Sequence, residues 1–352
     1  MSKYSAVGID VSDKEMKVVA LDAAGNVVLR EVVACRECAV KAVFGKMDPC
    51  VVALETGGHT TWLGRLLAEL KHEVVVANAR KVRAISANER KSDWRDAEML
   101  ARLVRSDRTL LCPVRLRGKE SQADMILLKA RDAAVRARAL MVNTARALVK
   151  GTGERVRACS TEAFPRRCRE TLGEETVLAL TGLLAGIEAQ TEVVRGYDRK
   201  IKETADEHRR ASDVNRVAQV TGVGTHTALA FVVTLEEAQR FGNARQIGAF
   251  LGLTPRRDQS GATDKALGIT HAGNPMLRRL MVNSAQYIMG PFGPDCDLRR
   301  FGTKLIARGG KAAKKRAIIA VARKLSVLLL RLWQTGETYE PVHVPRRKPK
   351  AA

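Results

Sequence analysis

The chain has 352 residues, 45% of them apolar and 28% charged, which is enough for two or three domains of about 100 to 200 residues each. This composition excludes a disordered polyelectrolyte. No apolar run approaches the ~18 residues of a membrane-spanning helix, so we expect a soluble cytoplasmic protein. Its 61 Lys and Arg outnumber 38 Asp and Glu, for a net charge of +23. That excess predicts a polyanionic partner, with nucleic acid as the first candidate.

The cysteines do not indicate a disulfide framework. There are seven, an odd number, spread over a long chain whose N-terminus leads straight into a strand pattern. Free thiols in a reducing compartment are therefore expected. Cys35 and Cys38 form a CxxC pair, but no second pair follows at zinc-finger spacing, so the metal signal is weak.

The first 112 residues alternate strand and helix patterns. Three short β runs separated by turn-like residues predict an antiparallel meander at 6–11, 16–21 and 27–33. Further strands are predicted at 51–54 and 73–77, and helices at 38–44, 61–71, 79–86 and 93–105. Three strands followed by alternating helix and strand is the order of a ribonuclease H-like, or RuvC-like, α/β domain.

The rest of the chain is predicted to be mainly helical. Ala, Leu, Arg and Glu at helical spacing predict two long helices, 119–150 and 173–210. They would form a coiled-coil arm for spacing or oligomerisation, and the basic face of the first helix could follow a phosphate backbone. Short helices with glycine turns follow and end in a long helix at 311–333. The predicted domains are 1–112, the arm 113–214, a mainly α C-terminal domain 215–337 and a basic disordered tail 338–352.

Several carboxylates occupy positions that need an explanation. Asp10 lies within an apolar strand, where a charge is costly, and Glu55 ends another apolar strand that would neighbour it in this sheet. Asp93 and Asp96 are three residues apart on a predicted helix, hence on one face. Mg²⁺, or Mn²⁺ in its place, prefers such oxygen ligands and can stabilise a phosphodiester exchange. Asp13, in a turn, is interpreted as an ordinary solvated or ion-paired residue.

Two glycine-containing segments mark the C-terminal region. Gly222 and Gly224 predict a helix-hairpin-helix whose backbone N–H groups approach a phosphate, or a plain helix connection. Ser260 lies in a glycine-flanked turn and either attacks a phosphodiester or only shapes the turn. No local base for it is evident, and His271 is interpreted as structural or solvent-exposed. The basic residues near Ser260 in sequence, candidates to contact phosphate, are Arg256, Arg257, Lys265, Arg278 and Arg279.

Six motifs occur in order along the chain. They are Gly8-Ile9-Asp10, Glu55-Thr56-Gly57-Gly58, Lys91-Ser92-Asp93 with Asp96, Gly222-x-Gly224, Gly252-Leu253-x-Pro255 with Ser260-Gly261, and Gly273-Asn274 with Leu277-Arg278. No single motif is specific, but together they resemble the DEDD-type insertion-sequence transposases of the IS110 (IS1111) family. The resemblance covers about residues 5–110 and 215–335.

The resemblance implies a RuvC-like domain in which Asp10, Glu55, Asp93 and Asp96 bind Mg²⁺, and a transposase domain in which Ser260 is the nucleophile. It also implies a structured bridge RNA that pairs with donor and target DNA. Members assemble as multimers, here a dimer or tetramer, in which one subunit's acidic site and another's serine form a composite centre. The departures are mild. Ser92 and His271 stand where Thr and Lys are usual, and Ser260 follows Gln where two serines are common.

Three functions are compatible with these features. The leading one is RNA-guided DNA transposition or recombination through a phosphoserine linkage. The second is a hydrolytic, metal-dependent nuclease of the Holliday-junction-resolvase type, which leaves free 5′ phosphates and no protein–DNA adduct. The third is a noncatalytic nucleic-acid-binding protein or degenerate transposase, for which the charge and the arm suffice. We expect association with the bacterial nucleoid and no membrane partner.

Overall fold

The computed structural model describes residues 3–82, 92–260 and 263–342, and at 258, 260 and 263–266 it describes the backbone alone. Two compact units, Met1–Gly118 and Lys119–Ala352, divide the chain. Of the helix predicted at 79–86, residues 79–81 form a turn instead, while residues 83–86 and most of the predicted tail lie outside the described residues.

The first unit is a mixed α/β fold built on a five-stranded sheet with the order β3-β2-β1-β4-β5. Strands β1 to β3 pair antiparallel, while β4 pairs with β1, and β5 with β4, in parallel. This order is consistent with the expected ribonuclease H-like sheet. The strands are β1 (Ala6–Val11), β2 (Glu15–Leu21), β3 (Val27–Ala34), β4 (Val51–Glu55) and β5 (Glu73–Ala77).

Helices cover both faces of this sheet, because successive strand side chains point to opposite faces. Val7 and Ile9 of β1 pack with α1 (Glu37–Phe44) and α2 (Thr60–Glu69). Ala6 packs on the other face with α3 (Asp93–Ser106). The three helices begin and end within two residues of their predicted bounds.

Helix α3 rests directly on strand β1 at Gly8. A Cβ at Gly8 would lie 1.9 Å from the carbonyl oxygen of Ala97 and 2.5 Å from the amide nitrogen of Ala101. Both atoms belong to the helix backbone, which cannot rotate away as a side chain can. Only glycine allows the helix to approach the strand this closely.

The second unit is mainly helical. Its two longest helices, α4 (Lys119–Lys150) and α6 (Glu174–Glu207), pack against each other, with α5 (Phe164–Thr171) between them in sequence. They match the predicted arm helices closely. The structure groups the arm and the C-terminal helices into one unit, and the four-part domain division stays a prediction. The C-terminal helices are α7 (Ala211–Ala218), α8 (Thr225–Leu235), α9 (Gln246–Phe250), α10 (Pro275–Met289), α11 (Asp297–Ala307) and α12 (Ala313–Thr335).

Helix α8 forms the centre of this unit, since every residue from Thr227 to Leu235 is buried. Side chains of α10 and α12 complete the apolar core around it, among them Leu277, Leu325 and Trp333. An apolar helix buried on all sides has no polar face, which is typical of the central helix of a large core.

A β-hairpin stands where the sequence predicted only turns between short helices. Strands β6 (Pro255–Ser260) and β7 (Thr263–Ile269) pair antiparallel. The described side chains from Pro255 to Gln259 are exposed. Among the described side chains of β6 none is buried, so the alternation of apolar and polar residues that usually signals a strand is missing there.

Helix α6 is long and apolar enough, by length and composition, to cross a membrane. A single helix of this kind is weak support for a span, because core helices of soluble proteins pass the same test. Leu184 and Ile187 of α6 are buried in a cluster with Val142 of α4 and Phe164 of α5. Of the apolar window of α6, 28% is buried.

Substituting Gly8 by Ala should lower the free energy of unfolding of the first unit by about 3 kcal/mol or more, because the added methyl meets helix backbone. Gly58→Ala is the matched control, since a Cβ there has nothing within 4 Å. Urea denaturation followed by circular dichroism measures both. Equal losses in the two variants would contradict the close contact between helix and strand.

Candidate active site

Asp10 and Glu55 lie side by side at one edge of the sheet. Strands β1 and β4 run parallel with Ile9 opposite Leu54, so Asp10 and Glu55 are the next residues of the two strands. By the alternation of strand side chains, both carboxylates share the face of Gly8, which α3 covers. Both residues are half-buried.

The first turn of α3 lies at the same edge. Lys17, opposite Asp10 in the β1–β2 register, places its Nζ 5.4 Å from the ring centroid of Trp94 in that turn. At the other end of the helix, Arg105 donates a hydrogen bond of 3.0 Å to the carbonyl of Ala23, beyond the opposite end of β2. The N-terminus of α3 is therefore directed toward Asp10.

This orientation brings Asp96 to the acidic edge. Asp96 is 7% exposed and directly precedes Ala97, the residue that contacts Gly8. Asp93, one turn earlier, is exposed. Three of the four predicted carboxylates thus gather at the ends of β1, β4 and α3, with Asp93 at the rim. Lys91 of the same motif lies outside the described residues.

The donor set at this edge fits a hard divalent cation. It consists of carboxylate oxygens, the ligands that Mg²⁺ and Mn²⁺ prefer. Within the described part of the chain, no three His, Cys, Asp or Glu side chains are grouped closely enough to hold a metal ion. The carboxylates share an edge without forming a closed coordination shell. Their role as metal ligands stays a prediction.

A histidine–aspartate pair beside this edge was not predicted from the sequence. The Nε2 of His59 lies 3.1 Å from Oδ1 of Asp13, and the indole N–H of Trp62 donates to Nδ1 of His59 at 3.0 Å. Because Nδ1 accepts this bond, the ring N–H is on Nε2 and donates to Asp13. The pair connects the loops that follow β1 and β4, which end near Asp10 and Glu55. Its partners are 46 residues apart in sequence, so no local motif indicates it.

Two glycines lock the base of the hairpin β6–β7. Gly252 has φ +66°, and a Cβ there would lie 2.3 Å from the amide nitrogen of Ala272. Gly273 has φ +71°, and its Cβ would lie 1.9 Å from the carbonyl oxygen of Phe250. Each glycine takes a left-handed conformation and touches the loop that carries the other. The hairpin therefore rises from a tightly interlocked junction.

Polar side chains reinforce this junction. Asn274 caps α10 by accepting hydrogen bonds from the amides of Met276 and Leu277 at 2.9 and 3.2 Å. Arg278 donates to the carbonyls of Leu251 and Ala272 at 3.1 and 2.7 Å. Arg278, predicted to contact nucleic acid, thus also holds the two loops together.

The remaining predicted basic residues differ in their surroundings. Arg279 forms an ion pair with Asp132 of helix α4. Arg256 and Arg257 are exposed on β6. Lys265 lies on β7 opposite Asp258, but its side chain is outside the described residues. Contacts of these residues with nucleic acid stay predictions.

Ser260 lies at the free end of the hairpin. Its backbone pairs with Thr263, the last pair before the turn, so it is the hairpin residue farthest along β6 from the glycine junction. Its side chain is outside the described residues. Its predicted role as nucleophile is thus judged from the position of the backbone alone.

The predicted glycine hairpin connects α7 and α8. Gly222 has φ +79°, and a Cβ there would lie 3.1 Å from both Cγ1 of Ile288 and the carbonyl oxygen of Ser284 on α10. This glycine is explained by packing. Gly224 is the N-cap of α8, and a Cβ there would have nothing within 4 Å. The space beside Gly224 therefore leaves the backbone at the start of α8 open to a ligand. Gly222 is explained by its packing against α10, and no ligand is required to explain it.

His226, in the first turn of α8, is largely buried. The pKa of His226 is lowered from 6.5 to about 4, chiefly by burial and in smaller part by the positive charge of Arg131, while Asp198 and Asp132 oppose the shift. Its Nε2 has no hydrogen-bond partner among the described residues. The ring is consequently neutral at physiological pH.

Two family models match separate parts of the chain. A family model described as a transposase of the DEDD IS110 type matches residues 7–153. A second model, described as the transposase IS116/IS110/IS902 family, matches residues 214–296. The first match contains the acidic edge, and the second contains the hairpin with Ser260.

Curated relatives extend over nearly the whole chain. The transposase for insertion sequence element IS1111A of Coxiella burnetii is 27% identical over 96% of this chain and 92% of its own length. The transposase for insertion sequence element IS1328 of Yersinia enterocolitica is 26% identical over 82% of this chain and 85% of its own length. The pilin gene-inverting protein of Moraxella lacunata is 29% identical over 31% of this chain and 33% of its own length.

The depressed pKa of His226 should make stability fall in acid. Below pH 6.5 the unfolded chain binds a proton that the folded ring resists, so this stability is present above pH 6.5 and is lost as the pH falls to about 4. Between pH 6.5 and about 4, the free energy of unfolding should fall by about 3 kcal/mol from this one group. The free energy of unfolding of His226→Asn should therefore fall less between pH 7 and pH 4 than that of the wild type.

The exposed His271 supplies the matched control, because asparagine tolerates its left-handed backbone, φ +55°. His271→Asn, the same substitution at an exposed position, is compared with His226→Asn at each pH. The free energy of unfolding is measured by urea denaturation at each pH. Identical pH profiles for His226→Asn and the wild type would show that burial of His226 does not contribute to the pH dependence of stability.

Proposed function

The chain belongs to the IS110 family of insertion-sequence transposases, enzymes that cleave and rejoin DNA, and from that premise we propose how it acts. It recombines DNA under the guidance of a structured RNA, through a covalent phosphoserine linkage at Ser260. The main support for this proposal is the position of Ser260 in the hairpin β6–β7. Gly252 and Gly273 fix the base of this hairpin, and the backbone of Ser260 lies at its far end, in the last pair before the turn.

The proposed chemistry conserves the energy of the phosphodiester bond. The Oγ of Ser260 bonds to a DNA phosphorus, the bond from that phosphorus to the leaving strand's oxygen breaks, and the hydroxyl proton ends on that oxygen. The hydroxyl of another strand end then attacks the phosphoserine. This second step releases Ser260 and joins the new strand, so no external energy source is required.

Asp10, Glu55 and Asp96, with Asp93 at the rim, are the residues that would hold Mg²⁺ or Mn²⁺. When bound, the ion polarises the scissile phosphate and stabilises developing charge on its oxygens. The chain's own contribution is to hold Asp96 over the ends of β1 and β4 through the contact of α3 with Gly8. That arrangement limits how far the carboxylates must move to coordinate an ion.

A composite centre formed by two subunits would supply the activation that Ser260 lacks. The position of Ser260 at the end of β6, in a different compact unit from the acidic edge, supports this arrangement. We accordingly propose that the active form is a homo-oligomer, a dimer or tetramer. The name of the Moraxella relative, a gene-inverting protein, also favours strand exchange over simple cleavage.

Guidance by RNA is proposed as the source of sequence selectivity. The net charge of +23 favours phosphate contacts, and an aromatic content of 4% leaves few side chains for base stacking. Charge alone does not distinguish one DNA sequence from another. Base pairing of a bound RNA with donor and target DNA would provide that selection. We place this activity in the bacterial cytoplasm at the nucleoid.

A metal-dependent, structure-selective nuclease remains the second candidate. The acidic edge and Ser260 lie in different compact units, and the sheet with its carboxylates is complete without the hairpin. In this case water attacks the phosphodiester and Ser260 only shapes a turn. The products would be free 5′ phosphates with no protein attached.

Ser260→Ala should abolish protein–DNA adducts, because no other hydroxyl occupies the end of β6, whereas Asp10→Asn should reduce them by at least about tenfold through loss of a metal ligand. The adducts are measured on a denaturing gel with end-labelled DNA and the co-expressed RNA. Thr270→Ala, a change to an exposed hydroxyl residue at the base of the hairpin, should have no effect. Strand exchange by Ser260→Ala at the wild-type rate would refute the covalent mechanism.

A further inference from the structure

The last two helices contain a long segment without acidic residues. Between Asp297 and Glu337 the chain has eleven Lys and Arg and no Asp or Glu. This segment contains α11, α12 and the turn between them. It begins after residue 296, where the second family model ends. The second family model therefore does not include the basic residues of this segment.

Six of these basic residues cluster in sequence around the turn. All six are exposed, and none has a carboxylate partner within the part of the chain that the structure describes. Nearby arginines differ, since Arg300 pairs with Asp295 and Arg331 with Glu337. We name the six residues the α11–α12 basic surface: Lys304, Arg308, Lys311, Lys314, Lys315 and Arg316.

The two helices that carry this surface are closely packed. A Cβ at Gly302 of α11 would lie 2.3 Å from Sδ of Met289 and 2.8 Å from Cγ2 of Val321 on α12. The Nζ of Lys324 on α12 lies 4.4 Å from the ring centroid of Phe301 on α11. Such packing holds the charged side chains on a rigid support, which lowers the entropy lost when they bind.

The α11–α12 basic surface offers charge, but the described residues of its two helices include no exposed aromatic ring. The aromatic ring on these helices nearest the surface, Phe301, is covered by Lys324. Single-stranded RNA is typically held by exposed aromatic rings that stack on its bases. Lysine and arginine alone contact the phosphates of a duplex without regard to sequence.

We propose that the α11–α12 basic surface binds the phosphate backbone of double-stranded DNA and holds the transposition substrate in a sequence-independent manner. This inference rests on the family's activity on DNA and is independent of the covalent chemistry at Ser260. It also explains why so many like charges are tolerated together. Their mutual repulsion costs stability in the free protein and is relieved when the polyanion binds.

Charge removal on this surface tests the proposal. The triple variant Lys311→Gln, Lys314→Gln, Lys315→Gln should bind a 30-base-pair duplex of arbitrary sequence more weakly. The slope of log affinity against log salt concentration should become shallower by about 2 to 3. Each lost phosphate contact reduces the magnitude of this slope by about 0.9. Fluorescence anisotropy between 0.1 and 0.5 M NaCl measures this slope.

The matched control removes three charges from α6. Arg199, Lys200 and Lys202 are exposed on that helix, but Asp198 and Glu203 are close to them in sequence. The triple variant Arg199→Gln, Lys200→Gln, Lys202→Gln should change the slope by less than 1. A variant with arginine at positions 311, 314 and 315 should keep the wild-type slope. Equal losses in both glutamine triples would overturn the proposal, since net charge alone would then explain binding.

Two further measurements separate the alternatives. The glutamine triple at 311, 314 and 315 should melt at the same or a higher temperature than the wild type, because repulsion is reduced; a lower melting temperature would contradict this. Weaker binding to a structured hairpin RNA, with duplex binding unchanged, would assign the surface to RNA and overturn the DNA proposal. The Ser260→Ala variant should bind the duplex with the wild-type slope, so failure of the covalent mechanism leaves this test intact.

Discussion

The contact between helix α3 and strand β1 at Gly8 determines the geometry of the candidate metal site. The helix backbone can lie on the strand only because residue 8 has no side chain. That approach buries Asp96 and directs the first turn of α3 toward Asp10, at the edge where β4 also ends in Glu55. A buried carboxylate is costly unless it is paired or binds a cation. In the proposed metal site, the contact of α3 with Gly8 is what keeps Asp96 at this edge.

The second unit uses glycine in the same way to place a different group. Gly252 and Gly273 allow two loops to interlock, and the hairpin that rises from them carries Ser260 at its free end. In the proposed mechanism one unit supplies carboxylates and the other a hydroxyl, the two components of a metal-assisted phosphoryl transfer. The α11–α12 basic surface is proposed to hold the DNA. The proposed metal site, nucleophile and DNA-binding surface thus lie in separate parts of the chain.

The sequence predicts those features that have a local period. Alternation along β1 and helical spacing along α4 and α6 predict the bounds of these elements to within a few residues. Asp10 is conspicuous in the sequence because it interrupts an apolar strand. The hairpin was missed because its exposed strands have no apolar alternation. The pair of His59 and Asp13 was missed because it joins loops that are distant in sequence. Asp93 and Asp96 share a helix face, yet only the packing of α3 on Gly8 explains why Asp96 is buried.

Mn²⁺ binding, followed by electron paramagnetic resonance in the presence of duplex DNA, tests the central claim that α3 completes a metal site at this edge. Asp96→Asn should weaken binding by at least about tenfold, since loss of a ligand costs more than loss of its supporting contacts. Asp13→Asn, a change to an exposed carboxylate in the loop after β1, should bind Mn²⁺ as the wild type does. Equal binding by all three proteins, or none by the wild type, would contradict the account.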